Sequence, residues 1–139
     1  GLGSATVNVG ESVKVSALVI VNALGDIYDE NGNIIAGARI DGKFINTAQC
    51  MLNKSIAPGF GNTTIGVVAT DALLTKEQAN KLASCAHDGL AMAIRPAHTM
   101  YDGDTLFALS AGEKAADFNA ILAAGAIAVQ RAIINAFGV

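Results

Sequence analysis

The stretch Asn62-Thr63-Thr64-Ile65-Gly66-Val67-Val68-Ala69-Thr70-Asp71 decides how this chain is read. From Thr63 onward its β-branched and apolar residues run almost unbroken, the pattern of a strand buried within a sheet. The glycine-rich turn Gly59-Phe60-Gly61 delivers the chain to that strand, so a hydroxyl residue stands at its first position. That placement is chemically useful. If Thr63 Oγ attacks the carbonyl of Asn62, an N-to-O acyl shift followed by hydrolysis frees the α-amine of Thr63 beside its own hydroxyl. An α-amine titrates near about 7.7 to 8.0, against about 10.4 for lysine, so at neutral pH part of it can accept the hydroxyl proton. On pattern alone, a Thr opening a strand ordinarily reflects β propensity. Asn62-Thr63-Thr64 also matches a glycosylation sequon, a short pattern common by chance.

Working outward, Ser4 to Val9 and Val13 to Asn22 read as core strands, the second apolar enough to be covered on both faces. Asp26 to Tyr28 and Ile34 to Arg39 flank Asn31-Gly32, a dipeptide that closes tight hairpins. Residues 40 to 61, with Pro58 among them, show no sustained period and read as a long loop. Downstream, Thr75 and Gln78 form a capping-box pattern opening a helix whose apolar stripe is Leu82, Ala86 and Leu90. Pro96 ends that helix near Ile94 or Arg95. His98 to Asp104 then forms a loop before a strand at Thr105 to Ser110, and a last helix starts near Lys114. Its positions Phe118, Ile121, Leu122, Gly125, Val129, Ile133 and Phe137 recur at helical spacing. The order lacks the strict βαβ alternation of a doubly wound fold, so the class is α+β.

The composition bounds the rest. A chain of 139 residues suits one domain. Apolar residues make up 52% and charged residues 15%, a thinly charged surface that favours an obligate partner or oligomer. The net charge of −3 offers no electrostatic footprint for nucleic acid. No apolar run reaches the roughly 18 uninterrupted residues of a membrane span. Gly1-Leu2-Gly3-Ser4 carries neither an initiator Met nor an export pattern, so a processed or truncated start and a cytoplasmic location are expected. Cys50 and Cys85 read as buried thiols in a reducing compartment. Cys85, His87 and Asp88 point in different directions around a helix, which argues against a metal site and leaves His87 and His98 to capping or surface roles. No cofactor is expected.

The decisive stretch, taken with Met100-Tyr101-Asp102-Gly103-Asp104-Thr105-Leu106-Phe107-Ala108, resembles the DmpA-type aminopeptidase family. Val19-Ile20-Val21-Asn22-Ala23-Leu24-Gly25-Asp26 and Gly37-Ala38-Arg39 extend the resemblance over most of the chain. That family includes L-aminopeptidase/D-esterases, β-peptidyl aminopeptidases and nylon-oligomer endo-hydrolases. The resemblance implies self-cleavage between Asn62 and Thr63, with residues 1–62 ending one subunit and 63–139 forming the next. It implies a layered αββα sandwich of the DmpA or ornithine-acetyltransferase type, completed by an N-terminal segment or partner chain outside this sequence. It gives Thr63 the role of nucleophile, Asn22 a place in the oxyanion hole, and Asp102 with Asp104 the support of the nucleophile. If Asp102 and Asp104 continue into the following strand, they share a face roughly 6.7 Å apart and could address one ammonium. The expected substrate is a small peptide or amide, and the expected assembly a homo-oligomer of processed heterodimers. An acyltransferase of the ornithine-acetyltransferase type and a processing-deficient structural subunit are the alternatives.

Overall fold

The computed structural model describes residues 1–55 and 61–138. Pro58 and the Gly59-Phe60 part of the turn before Thr63 lie outside the described residues. The elements run β1 (Leu2–Val9), β2 (Val13–Asn22), β3 (Asp26–Tyr28), β4 (Ile34–Ala36), β5 (Arg39–Ile40), β6 (Lys43–Phe44), α1 (Thr47–Leu52) and β7 (Thr63–Ala72). After these come α2 (Lys76–Ala93), β8 (Ile94–Arg95), β9 (Thr105–Lys114) and α3 (Phe118–Asn135). The fold is α+β.

A four-stranded sheet in the order β1-β2-β7-β9 forms the frame. β1, β2 and β7 pair antiparallel, whereas β7 and β9 are parallel. Parallel neighbours need a crossover, and α2 supplies it. One β7-α2-β9 unit is therefore present in a chain whose element order read as lacking regular βαβ alternation. Both strands of that unit start at the same end of the sheet, and the crossover must return the chain to that end. The last turns of α2 and residues 96–104 are thus carried back to the start of β7.

The strands alternate. Val13, Val15, Ala17, Val19 and Val21 of β2 are buried beneath the helices, together with Thr64, Val68 and Ala72 of β7. Leu82, Ala86 and Leu90 of α2 meet Ile121, Val129 and Ile133 of α3 in the same core. Gly89 lets the two helices approach closely, since a Cβ there would lie 2.2 Å from the Ala126 carbonyl oxygen. The other face of the sheet is open and apolar: Leu18 is 48% exposed, Ile20 60%, Ile65 50% and Phe107 62%. Register sets Ile20 beside Ile65 and Leu18 beside Val67, with Phe107 beyond, so these side chains form one continuous patch. The unbroken β2 pattern read as a strand covered on both faces, whereas here only the face toward the helices is covered.

Several boundaries differ from the sequence reading. The Asn31-Gly32 hairpin forms, with Gly32 at φ +85°. Residues 39–55 are not all loop: they hold the small β5-β6 hairpin and α1. The α1 helix is tied to β3 by the buried Asp26 carboxyl, which accepts hydrogen bonds from Thr47 N at 2.7 Å and Thr47 Oγ1 at 2.8 Å. The capping box at Thr75 and Gln78 forms in full. The α2 helix ends at Ala93, and Ile94–Arg95 form β8, which pairs with β3, ahead of the loop read at His98 to Asp104. The last helix starts at Phe118 under an Asp117 cap, because β9 continues through Lys114, whose Nζ binds Asp71 and the Ser12 carbonyl. α3 has the length and apolarity of a membrane span, but half of it is buried in this fold. Cys50 and Cys85 are free and half-buried, not buried as their sequence context indicated.

Candidate active site

β2 and β7 meet with Asn22 opposite Thr63. Directly paired residues of antiparallel strands point to the same side, so both side chains lie on the open face, at the end of the apolar patch. The segment entering β7 is held from both sides. Asn22 Nδ2 donates to the Gly61 carbonyl at 3.2 Å, and Asn62 forms a parallel bridge with Asp102.

The Asn62 carbonyl accepts two hydrogen bonds, from Gly103 N at 3.0 Å and from Thr63 Oγ1 at 2.7 Å. Thr63 Oγ1 is thus held against the peptide bond it would attack, and that carbonyl is polarised by a backbone N–H. The absence of a side chain at residue 103 leaves room for this arrangement, since a Cβ there would lie 3.1 Å from Thr63 Oγ1.

The two aspartates take separate partners. Asp102 Oδ2 accepts from Thr99 N at 3.0 Å and Thr99 Oγ1 at 2.6 Å, which closes the turn before β9. Asp104 Oδ1 accepts from Thr64 N at 2.8 Å, one residue beyond the nucleophile position. β9 begins at Thr105, so neither aspartate lies inside the strand, and their hydrogen bonds go to different groups, Thr99 for Asp102 and Thr64 for Asp104. The condition under which they would share a strand face is therefore not met.

Asp104 also faces histidines that the sequence reading assigned to capping or surface roles. Its Oδ2 is 3.8 Å from His98 Nδ1, and the His98 ring lies 5.2 Å from that of His87, centroid to centroid. Burial pushes the Asp104 pKa above the usual carboxylate value; the Thr64 N–H opposes this, Asp102 adds to it, and His98 and His87 oppose it. Burial is also the main cause of a lowered pKa for His87, with the neighbouring His98 charge acting in the same direction. The signal that could have found these histidines is topological: a crossover helix returning to the start of β7 brings its C-terminal turns with it.

Thr63, Asn22, Asp102 and Asp104 therefore gather at one end of the sheet. Among the described residues, no group of three or more His, Cys, Asp or Glu side chains is arranged to hold a metal ion. A cavity of about 500 Å³ lies elsewhere, between Thr6, Asp29, Glu30 and Arg131. Its lining includes none of the four. A cavity of about 270 Å³ does include Asn22.

A family model for peptidase family S58 matches residues 1–138. An uncharacterised aminopeptidase of Mycobacterium tuberculosis is 39% identical over 122 residues, covering 81% of this chain and 36% of the relative. A 6-aminohexanoate-oligomer endohydrolase of Kocuria sp. is 31% identical over 120 residues, covering 81% of this chain and 34% of that protein. Among solved structures, the L-aminopeptidase D-Ala-esterase/amidase of Ochrobactrum anthropi, described as a variant of the Ntn hydrolase fold, superposes with a TM-score of 0.67 at 25% identity. That match covers 98% of this chain and 39% of the other. The chain spans about a third of the length of the curated relatives it matches, 36% and 34% for these two.

Proposed function

Because the chain belongs to peptidase family S58, we propose that it is the catalytic portion of a self-processing amide hydrolase whose nucleophile is Thr63. The observation that carries this reading is the Thr63 hydroxyl, 2.7 Å from the Asn62 carbonyl oxygen, with the Gly103 N–H on that same oxygen.

The first reaction is intramolecular. Thr63 Oγ1 turns from the carbonyl oxygen to the carbonyl carbon and attacks, while the Gly103 N–H stabilises the developing oxyanion. The C–N bond to Thr63 breaks, the amine keeps the proton released by the hydroxyl, and an ester joins Asn62 to Thr63 Oγ1. Water hydrolyses the ester, leaving a carboxylate on Asn62 and a free amine on Thr63.

The second reaction is catalysis. With Gly61 and Asn62 withdrawn, Asn22 Nδ2 and Gly103 N lose their present acceptors and can serve an incoming carbonyl. The Thr63 amine takes the hydroxyl proton, Oγ1 attacks the substrate amide, and the protonated amine returns the proton to the departing amine. Water then releases the acyl group. Asp104, bound to Thr64 N, and Asp102, opposite Asn62, supply negative charge near the resulting ammonium.

The relatives named aminopeptidase and oligomer endohydrolase support a peptide or oligoamide substrate. The open apolar face supports a partner: the remainder of the same protein, whose second sheet would cover Leu18, Ile20, Ile65 and Phe107. Thr63 and Asn22 would then lie at the rim of the covered layer. The low surface charge supports further assembly into a homo-oligomer.

Intact-mass measurement on the whole protein tests the reading. Wild type should yield a fragment beginning at Thr63 and turn over amide substrates, whereas Thr63→Ala should stay uncleaved and inactive. Cleavage of that variant at the same bond would overturn the assignment.

A further inference from the structure

Asp104 has a task that its surroundings oppose. To support an ammonium on Thr63 it must remain ionised, yet its side chain is only 7% exposed. Burial and the neighbouring Asp102 both favour its neutral form. The Thr64 N–H occupies Oδ1. The group opposite Oδ2 is His98, with Nδ1 at 3.8 Å. That separation is beyond a direct hydrogen bond, so the coupling is electrostatic.

His98 is itself held in an unusual way. Its backbone lies in the left-handed region, at φ +60°, which costs a non-glycine residue energy and persists only where the surroundings enforce it. Its ring packs at a tilt of 55° against His87, which α2 delivers through the β7-α2-β9 crossover. The charged groups acting on Asp104 are Asp102 and His98 from the loop before β9 and His87 from α2, while Asp88 acts on His87.

We propose that His98 is a positioning residue that keeps Asp104 ionised beside Thr63, with the His87 ring holding it in place. The inference rests on the reading of Thr63 as nucleophile. Without His98 opposite Oδ2 the balance shifts further toward the neutral carboxyl, so Asp104 should take up its proton at a higher pH.

The test is the pH dependence of kcat/KM on an amino acid amide, measured with the processed whole protein: the fall toward acid begins with the Thr63 amine and steepens where Asp104 is protonated, and that lower, steeper acidic limb is the readout. His98→Asn removes the charge and suits the left-handed backbone, since Asn adopts it readily. His98→Lys returns a cation at the same position. The acidic limb should move upward by roughly 0.5 to 1 pH unit in His98→Asn, the effect of a charge at this separation screened by water. In His98→Lys it should return toward the wild-type position. An unmoved limb in His98→Asn, or an equal displacement in both variants, would overturn the inference while leaving the Thr63 reading intact. Failure of the wild-type protein to cleave at Thr63 would overturn both.

Discussion

Replacing Asn22 with Ala should separate the two reactions assigned to this site. In the uncleaved chain Asn22 Nδ2 holds the Gly61 carbonyl at 3.2 Å, whereas the scissile Asn62 carbonyl is held by Gly103 N. Self-cleavage in Asn22→Ala therefore loses one long, neutral, solvent-exposed hydrogen bond that positions the segment. Such a bond contributes about 0.5 to 1.5 kcal/mol, which corresponds to about a 2- to 12-fold slower reaction. In turnover the same amide is proposed to face the oxyanion of the substrate. Loss of an oxyanion donor costs on the order of 10² to 10³ in rate. The assay follows the appearance of the Thr63 fragment by intact mass, allows processing to finish, and then measures kcat on an amide substrate. Completed self-cleavage also reports that the variant has folded. Equal losses in the two rates would rule out the separate roles, because they would require Asn22 to serve both carbonyls alike.

Gly103→Ala should slow self-cleavage by roughly tenfold or more, since the added methyl would sit 3.1 Å from Thr63 Oγ1 and displace it from the peptide; the same mass assay measures it. Asp26→Ala should lower stability by about 2 to 6 kcal/mol in chemical denaturation, because Thr47 N and Oγ1 each lose a buried acceptor. Asp104→Asn should abolish turnover yet raise the unfolding midpoint at neutral pH. The sign follows from the raised folded-state pKa: the stability linked to Asp104 is fully present below the unfolded pKa and is lost as pH rises through the folded one. The gain from Asp104→Asn should therefore shrink on acidification, as thermal unfolding at several pH values would show.

The parts of the fold legible in the sequence were those governed by local pattern. β2 and β7 announce themselves by β-branched residues, and α2 by a capping box that needs only Thr75 and Gln78. The hidden parts depend on distant contacts. At six residues α1 is too short to sustain itself, and its anchor is Asp26, 21 positions earlier in the chain. The end of β9 was misjudged because Lys114 belongs to the sheet through Asp71, a partner on the neighbouring strand. The candidate site divides in the same way. Thr63, Asn22, Asp102 and Asp104 stood out through motif resemblance, and register sets Asn22 opposite Thr63. His98 and His87 did not, because helical spacing says nothing about a loop folding back across the end of a crossover helix. The separate partners of Asp102 and Asp104 were equally invisible, since they arise from the Thr99 turn and from the backbone of Thr64.

In the proposed self-processing, the Asn62–Thr63 bond breaks through an ester on the Thr63 hydroxyl. Treating freshly folded whole protein with hydroxylamine and mapping the products by mass spectrometry tests this most directly. An ester intermediate gives faster cleavage, a hydroxamate on Asn62, and a partner fragment beginning with unmodified Thr63. A carboxylate alone on Asn62, formed at a rate indifferent to hydroxylamine, would contradict it.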